Sequence, residues 1–438
     1  MNRLCIGGGV VLLLALAAGG GRLLSPTETA AALQADAELR WYRGNLHTHS
    51  YWSDGDDYLE NIALWYRERE YDFLVFTDHN TLARSEKWVD VNKVKSGTDA
   101  YEKLKRQWGE HVVERQVDGK TEVRLKTFDE VSQLVGLPGK FLLIQGEEIS
   151  DKFGKYPIHL NAHNLRDVIP PRGGDSVVEV IQNNVDAVIA QRERTRQPMF
   201  VHLNHPNFGW GVTAEDLMQI RGENFFEVYN GHPGVANSGD AAHASTARMW
   251  DIILTRRLAE LDLPLMYGLA TDDGHSYHHI PSRASEPGRG WVMVLARELS
   301  PAALIQALEA GRFYSSSGVT LEKVASATGQ MEIQVREEPG VTYITEFIGT
   351  RRGFNADSEP VLDKNGNELR ATRKYSEDIG RVLKTVHGPK AKYRCQGDEL
   401  YVRARVTSSR LHPNPSERGE FERAWVQPMR GPAAPEVK

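Results

Sequence analysis

The run Tyr71–His79, YDFLVFTDH, is apolar along most of its length and then turns abruptly to Asp78 and His79. A continuous apolar strand needs cover on both faces, which is the situation of a buried strand in an α/β fold. Ahead of it, Leu59–Arg69 spaces Leu59, Ile62, Ala63 and Tyr66 along one helical face, and Trp41–His49 supplies an earlier strand. Strand, helix and apolar strand make a βαβ unit. Further strand-like runs follow at Lys140–Ser150, Tyr156–Asn164, Pro198–Pro206, Asn224–Gly231, Leu263–His275 and Gly290–Ala296. Helical stretches lie between them at Ser176–Arg194, Thr246–Leu261 and Ser300–Ala310. Seven or eight core strands alternating with helices predict an α/β barrel, whose functional face is the carboxyl ends of its strands.

Three stretches fall outside this alternation. Residues 80–139 are highly charged, with helical character at Tyr101–Val113 and Phe128–Leu134, and read as an insert between core strands: a lid or rim, or a solvated excursion. After Ser317 the apolar residues alternate with polar ones, predicting a small all-β region over 319–430 and a frayed tail over 431–438. At the other end, Arg3 precedes the apolar run Val10–Ala18, the pattern of a secretory signal peptide or N-terminal anchor over 1–24, with a linker over 25–40. That pattern predicts an exported protein, periplasmic or extracellular, touching a membrane only through an uncleaved N-terminal segment.

Composition narrows the chemistry. The net charge of −6 comes with no basic run, so nucleic acid is not an expected partner. The two cysteines, Cys5 and Cys395, cannot build a thiolate zinc site, so any metal must sit among imidazoles and carboxylates. Such residues cluster where apolar runs end: His47 and His49 with Asp54, Asp78 with His79, Glu147 with Glu148, His202 with His205, and Asp272, Asp273 and His275. One histidine at a strand end is commonly structural. Five clusters at the strand ends of one barrel predict a metal site.

The ordered set His47-x-His49, Ser53-Asp54-Gly55, Thr77-Asp78-His79, Gly146-x-Glu148-Ile149, a strand histidine, His205-Pro206 and Asp273-x-His275 resembles the polymerase and histidinol phosphatase (PHP) family of metal-dependent phosphoesterases, from Arg43 to Gly318. The N-terminal pattern, Thr271–His275, Arg289-Gly290-Trp291 and Gly311–Gly318 resemble an exported branch similar to carbaryl hydrolases. The resemblance implies a distorted seven-stranded PHP-type barrel over 41–318. It implies that His47 and His49 hold a first metal, Asp54 and His79 a second, and His159 and His205 a third. Glu148 would bridge, and Asp273 and His275 would complete the first and second sites. The residues alone leave Glu147 open against Glu148, and His163 against His159; the family's spacing favours Glu148 and His159. Asp272 and Asp78 are expected to hold ligand imidazoles from behind, with Asn204 a neighbour, and His232 reads equally as a site or a structural residue.

A set this large implies two or three divalent ions, with zinc, manganese or iron suited to the donors. The implied activity is hydrolysis of a phosphoester by a metal-bridging hydroxide held by His47, His49, Glu148 and Asp273. Arg289 and Arg312 are candidate contacts for an anionic substrate, beside the plainer reading as structural arginines. Ser315–Ser317 reads as a polar loop, no base being assigned to it. Two other readings stay open. The same core could hydrolyse a carbamate, amide or carboxylic ester, with Trp52, Trp88, Trp210 and Trp291 as apolar walls. An exported barrel could also bind envelope polymers without catalysis. The expected substrate is a small-molecule or envelope-derived ester.

Overall fold

The computed structural model describes residues 39–327 and 329–432. The predicted signal peptide, nearly all of the linker and most of the tail lie outside these described residues. β1 (Arg40–Asn45) leads through the His47–Asp54 loop into α1 (Leu59–Glu68), which buries Leu59, Ile62, Ala63 and Tyr66, the face its spacing predicts. β2 (Phe73–Phe76) follows, parallel to β1. It is shorter than the apolar run because Thr77–His79 leave the ladder. Thr77 N–H bonds Thr48 O at 2.9 Å, and His79 meets Glu148 in one isolated bridge.

The 80–139 segment contains α2 (Gly97–Trp108) and α3 (Phe128–Val135), the latter closed by a Thr127–Glu130 capping box. It also contains an antiparallel three-stranded sheet of Trp88–Asp90, Glu114–Val117 and Lys120–Arg124, which the charged sequence hid. Glu114–Val117 is exposed throughout, so it carries no apolar alternation. Its turn is nonetheless an Asp-Gly pair, Asp118 and Gly119, with φ of 51° and 74°, a strong hairpin signal.

β3 (Leu142–Phe153) and β4 (Tyr156–His163) form an antiparallel hairpin, with Glu148 opposite Asn161 and Ser150 opposite His159. α4 (Val177–Thr195) leads to β5 (Phe200–Leu203), antiparallel to β4. The short α5 (Ala214–Leu217) precedes β6 (Phe225–Asn230), and α6 (Thr246–Ala259) precedes β7 (Tyr267–Thr271); β5, β6 and β7 are mutually parallel. β8 (Trp291–Ala296) returns antiparallel to β1, and α7 (Pro301–Glu309) precedes β9 (Phe313–Ser316). The described elements beyond are strands, among them β10 (Tyr343–Arg351), β11 (Arg381–His387), β12 (Glu399–Leu411) and β13 (Phe421–Arg430).

The main sheet runs β7-β6-β5-β4-β3-β2-β1-β8-β9-β13-β12-β10-β11. This corrects the barrel expectation. Among the described residues no ladder closes the sheet: past the ends of β1 and β7, Thr48 and Gly274 meet in a single isolated bridge. The β3–β4 hairpin replaces a crossover, so the site does not rest on strand carboxyl ends alone. β10 to β13 extend this sheet, because β9 pairs Tyr314 with Val426 and Ser315 with Trp425; the other strands after residue 318 form small separate sheets. An edge strand's unpaired N–H and C=O groups favour such an addition. A buried ion pair fixes it further: Arg403 of β12 donates from Nε and Nη2 to Asp251 of α6 at 2.7 and 2.6 Å. Losing one partner of such a pair typically costs ~3–5 kcal/mol. Among the described residues no helix is long and apolar enough to cross a membrane.

Candidate metal centre

Past the ends of β1, β2 and β7 the ladders give way to single bridges, and the side chains there converge on Glu148, which stays paired with Asn161 in the β3–β4 hairpin. His47 Nε2 and His49 Nε2 are 3.1 Å apart. Glu148 Oε2 lies 3.4 and 3.1 Å from these two nitrogens, and Asp273 Oδ1 lies 3.1 and 3.3 Å from them. Both carboxylate oxygens thus approach the same pair of imidazole nitrogens, and imidazole nitrogen and carboxylate oxygen are donors that zinc accepts. Asp273 reaches this point from a left-handed backbone, φ 50°, which aspartate tolerates better than most residues. Gly55 is required by close approach: a Cβ there would sit 2.6 Å from the His49 carbonyl group.

A second cluster joins His49, Asp54, His79 and His275 at the rim. Asp54 Oδ1 is 3.6 Å from His79 Nε2 and 3.3 Å from His275 Nε2, and its side chain is 48% exposed. The third joins Glu148, His159 and His205, with Glu148 Oε1 2.9 Å from His159 Nδ1 and 3.4 Å from His205 Nε2. His159 Nδ1 is buried yet makes no hydrogen bond of acceptable angle, which suits a lone pair aimed at a cation. Glu148 belongs to two of these clusters through different oxygens, and its Oε2 also lies 3.0 Å from His79 Nδ1. All nine implied ligands thus fall into three adjoining groups.

The electrostatics describe groups awaiting positive charge. Burial raises Glu148 and Asp273, but the surrounding histidines outweigh it and hold both carboxylates well below their ordinary range. Burial lowers His47, but Asp273, Glu227 and Glu148 raise it well above the histidine range. His79 is likewise carried up to about 9, against burial, by Glu148 and Asp54. Protons occupy the nitrogens that a divalent cation would take, so the two compete.

The residue missed from sequence is Glu227, a lone acid in the apolar run of β6 and fully buried. Its Oε1 accepts from His47 Nδ1 at 2.7 Å, which fixes that ring and leaves Nε2 for a cation. Its Oε2 accepts from His205 N–H and from Asn230 Nδ2, both at 2.8 Å; Asn230 also donates to Asp273 at 3.1 Å. Glu227 therefore backs the role expected of Asp272 and Asp78. Those two hold backbone instead. Asp272 accepts from Tyr66 OH and from the N–H groups of Arg289 and Gly290. Asp78 accepts from Ser50 and Ser53 in the His47–Asp54 loop.

Other expectations resolve by position. Asn204 Nδ2 donates to Glu148 Oε1 at 2.8 Å. His163 points to His202, 2.9 Å away, behind the site. His232 stands at the rim, its ring centroid 5.6 Å from that of His275, and joins no cluster. Arg289 is no substrate contact: its guanidinium is fully buried and donates to Glu286, Gly231 O and Asn414. Arg312 lies at the opposite end of β8, where its carbonyl accepts from Leu295 N–H. Ser315 and Ser316 are buried in β9, donating to backbone carbonyls. The tryptophan walls are absent too: Trp52 and Trp291 are buried, Trp88 lies in the insert's sheet under Arg115, and Trp210 stacks on His243. Phe208 is the aromatic at the mouth, with ring centroids 6.1 Å from His159 and 5.1 Å from His205.

The insert braces the loop that carries Asp54. Lys87 donates to the carbonyls of Tyr51 and Trp52 at 3.0 and 2.7 Å, Lys95 to that of Asp54 at 2.9 Å, and Ser96 to the Asp56 carboxylate at 3.1 Å. Trp52 in turn donates to Lys126 O at 3.1 Å.

No family model matches the chain, and no curated protein matches it. Among solved structures it is similar to a two-domain protein from Bacteroides vulgatus containing a predicted PHP-like metal-dependent phosphoesterase: 15% identity, TM-score 0.38, 89% of this chain and 96% of that one covered. It is also similar to a candidate metal-dependent phosphoesterase from Bifidobacterium adolescentis: 15% identity, TM-score 0.29, 53% of this chain and 87% of that one.

Proposed function

We propose that the protein is a metal-dependent hydrolase acting on phosphoesters. The observation that carries this reading is the place of Glu148, whose two carboxylate oxygens serve adjoining histidine clusters. Two or three divalent ions bound there, zinc, manganese or iron, would supply an activated water and offset the negative charge that phosphoryl transfer develops. The protein's own residues do the rest. Glu227 fixes His47, and Asn204 holds Glu148 from its Oε1 side. Thr77 and Thr48 bind the ends of two ligand-bearing strands together. Asp54, His79 and His275 leave the rim open to a substrate, while His47 and His49 are fully buried and exclude bulk water.

Phosphoester is preferred over carbamate because none of the four tryptophans walls the mouth. Action outside the cytoplasm is part of the proposal and is supported by the Arg3 and Val10–Ala18 pattern alone. The test is a panel assay on metal-reconstituted protein with a phosphate monoester, a phosphodiester and an aryl carbamate. Turnover of a phosphoester that is lost in H47A is expected. Turnover of the carbamate alone would overturn the substrate class and keep the metal centre.

A further inference from the structure

The β3–β4 hairpin does not stop at the metal centre. β3 runs on past Glu148 and Ser150 to Phe153, and β4 begins at Tyr156, before His159. Side chains two apart on a strand share a face. Lys152 therefore follows Glu148 and Ser150 on the metal-facing side; Lys155 lies in the turn, its ammonium 5.4 Å from the Tyr156 ring centroid. The register agrees, with Ser150 opposite His159 and Lys152 opposite Pro157. These residues line a groove of about 500 Å³ that leads to His159.

Both lysines are exposed, and neither has a carboxylate within 4.0 Å among the described residues. Asp151, which precedes Lys152 and also lines the groove, has its carboxylate engaged by Gly173 N–H and Asn184 Nδ2, both at 2.9 Å. The stretch between the lysines and the metal centre is apolar on one side. The Phe208–Trp210 turn packs on Pro157, and Phe208 lies beside His159. Four residues of strand separate Lys152 from Glu148, about 13 Å at ~3.3 Å per residue. A lysine arm reaches part of the way back, so an anion between the two ammonium groups sits about 10 Å from the cluster.

We infer that the hairpin is a second anion subsite of the same active site. The preferred substrate is then a phosphoester whose leaving group carries a second phosphate about 10 Å from the scissile phosphorus, across a linker lying along Phe208. This rests on the phosphoesterase reading. Lysine suits the role, as a mobile point charge that takes a phosphate without demanding a bidentate fit.

The test compares hexanediol bisphosphate with hexyl phosphate on the metal-loaded enzyme. The two share scissile bond and chain and differ in the distal phosphate. Wild type should favour the bisphosphate by about tenfold or more in kcat/KM, chiefly through KM. The K152A/K155A variant should lose that preference while hydrolysing hexyl phosphate within about twofold of wild type, and K152R/K155R should retain it. Equal kcat/KM for the two substrates in wild type, or a preference that survives in K152A/K155A, would overturn the subsite and leave the phosphoesterase reading intact. Failure of wild type to hydrolyse any phosphoester in the panel would overturn the phosphoesterase reading, and the subsite with it.

Discussion

The two faces of β3 carry adjacent glutamates with opposite fates. Glu147 and Glu148 are both buried, and burial pushes both carboxyls up. On one face nothing answers that push: Glu147 accepts one bond, from Ile169 N–H at 2.6 Å, its other oxygen has no partner, and it rises to about 8. On the other face His79, His47 and His159 reverse it, and Glu148 falls well below the carboxylate range. One residue of register separates a neutral acid in the core from the junction of a metal centre. Burial alone therefore does not mark a site; burial with converging opposite charge does.

The comparison breaks most visibly by substitution. Glu148→Gln removes the anion common to two clusters and should lower phosphoester turnover by at least ~10³-fold, the scale of losing an electrostatic contact to developing charge. Glu147→Gln, one position away, should leave kcat/KM within about twofold, since it touches no ligand. Next in size is Glu227→Ala, which leaves His47 without its orienting partner. It should weaken cation binding by about 10–100-fold in a chelator competition, with E227Q recovering part of the loss. Lys95→Ala removes one bond to the Asp54 carbonyl and should cost about 2–10-fold in turnover, in keeping with ~0.5–1.5 kcal/mol for a hydrogen bond.

The smallest effect sharpens the other face. A Glu147 that titrates at about 8 when folded and near 4.5 when unfolded binds more protons in the native state between those values. Its contribution to stability is present below 4.5 and is lost as pH rises through about 8. The melting temperature of E147Q should therefore exceed wild type above pH 8 and converge with it at acid pH, read by parallel thermal scans.

The clustering of the candidate ligands was legible because most of them interrupt or end an apolar run, a one-dimensional signal, whereas the choice of Glu148 over Glu147 and of His159 over His163 came from the family resemblance. Glu227 carried the same signal more faintly, as one inward acid within Phe225–Asn230. The β3–β4 hairpin follows from Gly154 between two strand-like runs only five residues apart, too few for a crossover. The buried state of Arg289 depends on Gly231 and Asn414, 58 and 125 residues away, and no local pattern encodes such partners. The same holds for the pairing of β9 with β13, which joins Tyr314 to Val426.

The central claim is that Glu148 organises a divalent-cation centre, and metal content measured on the purified, reconstituted chain tests it most directly. Wild type and E147Q should retain two or three ions per chain after desalting, and E148Q should retain at least one fewer. Equal retention by E148Q and E147Q, or none by wild type, would contradict the account.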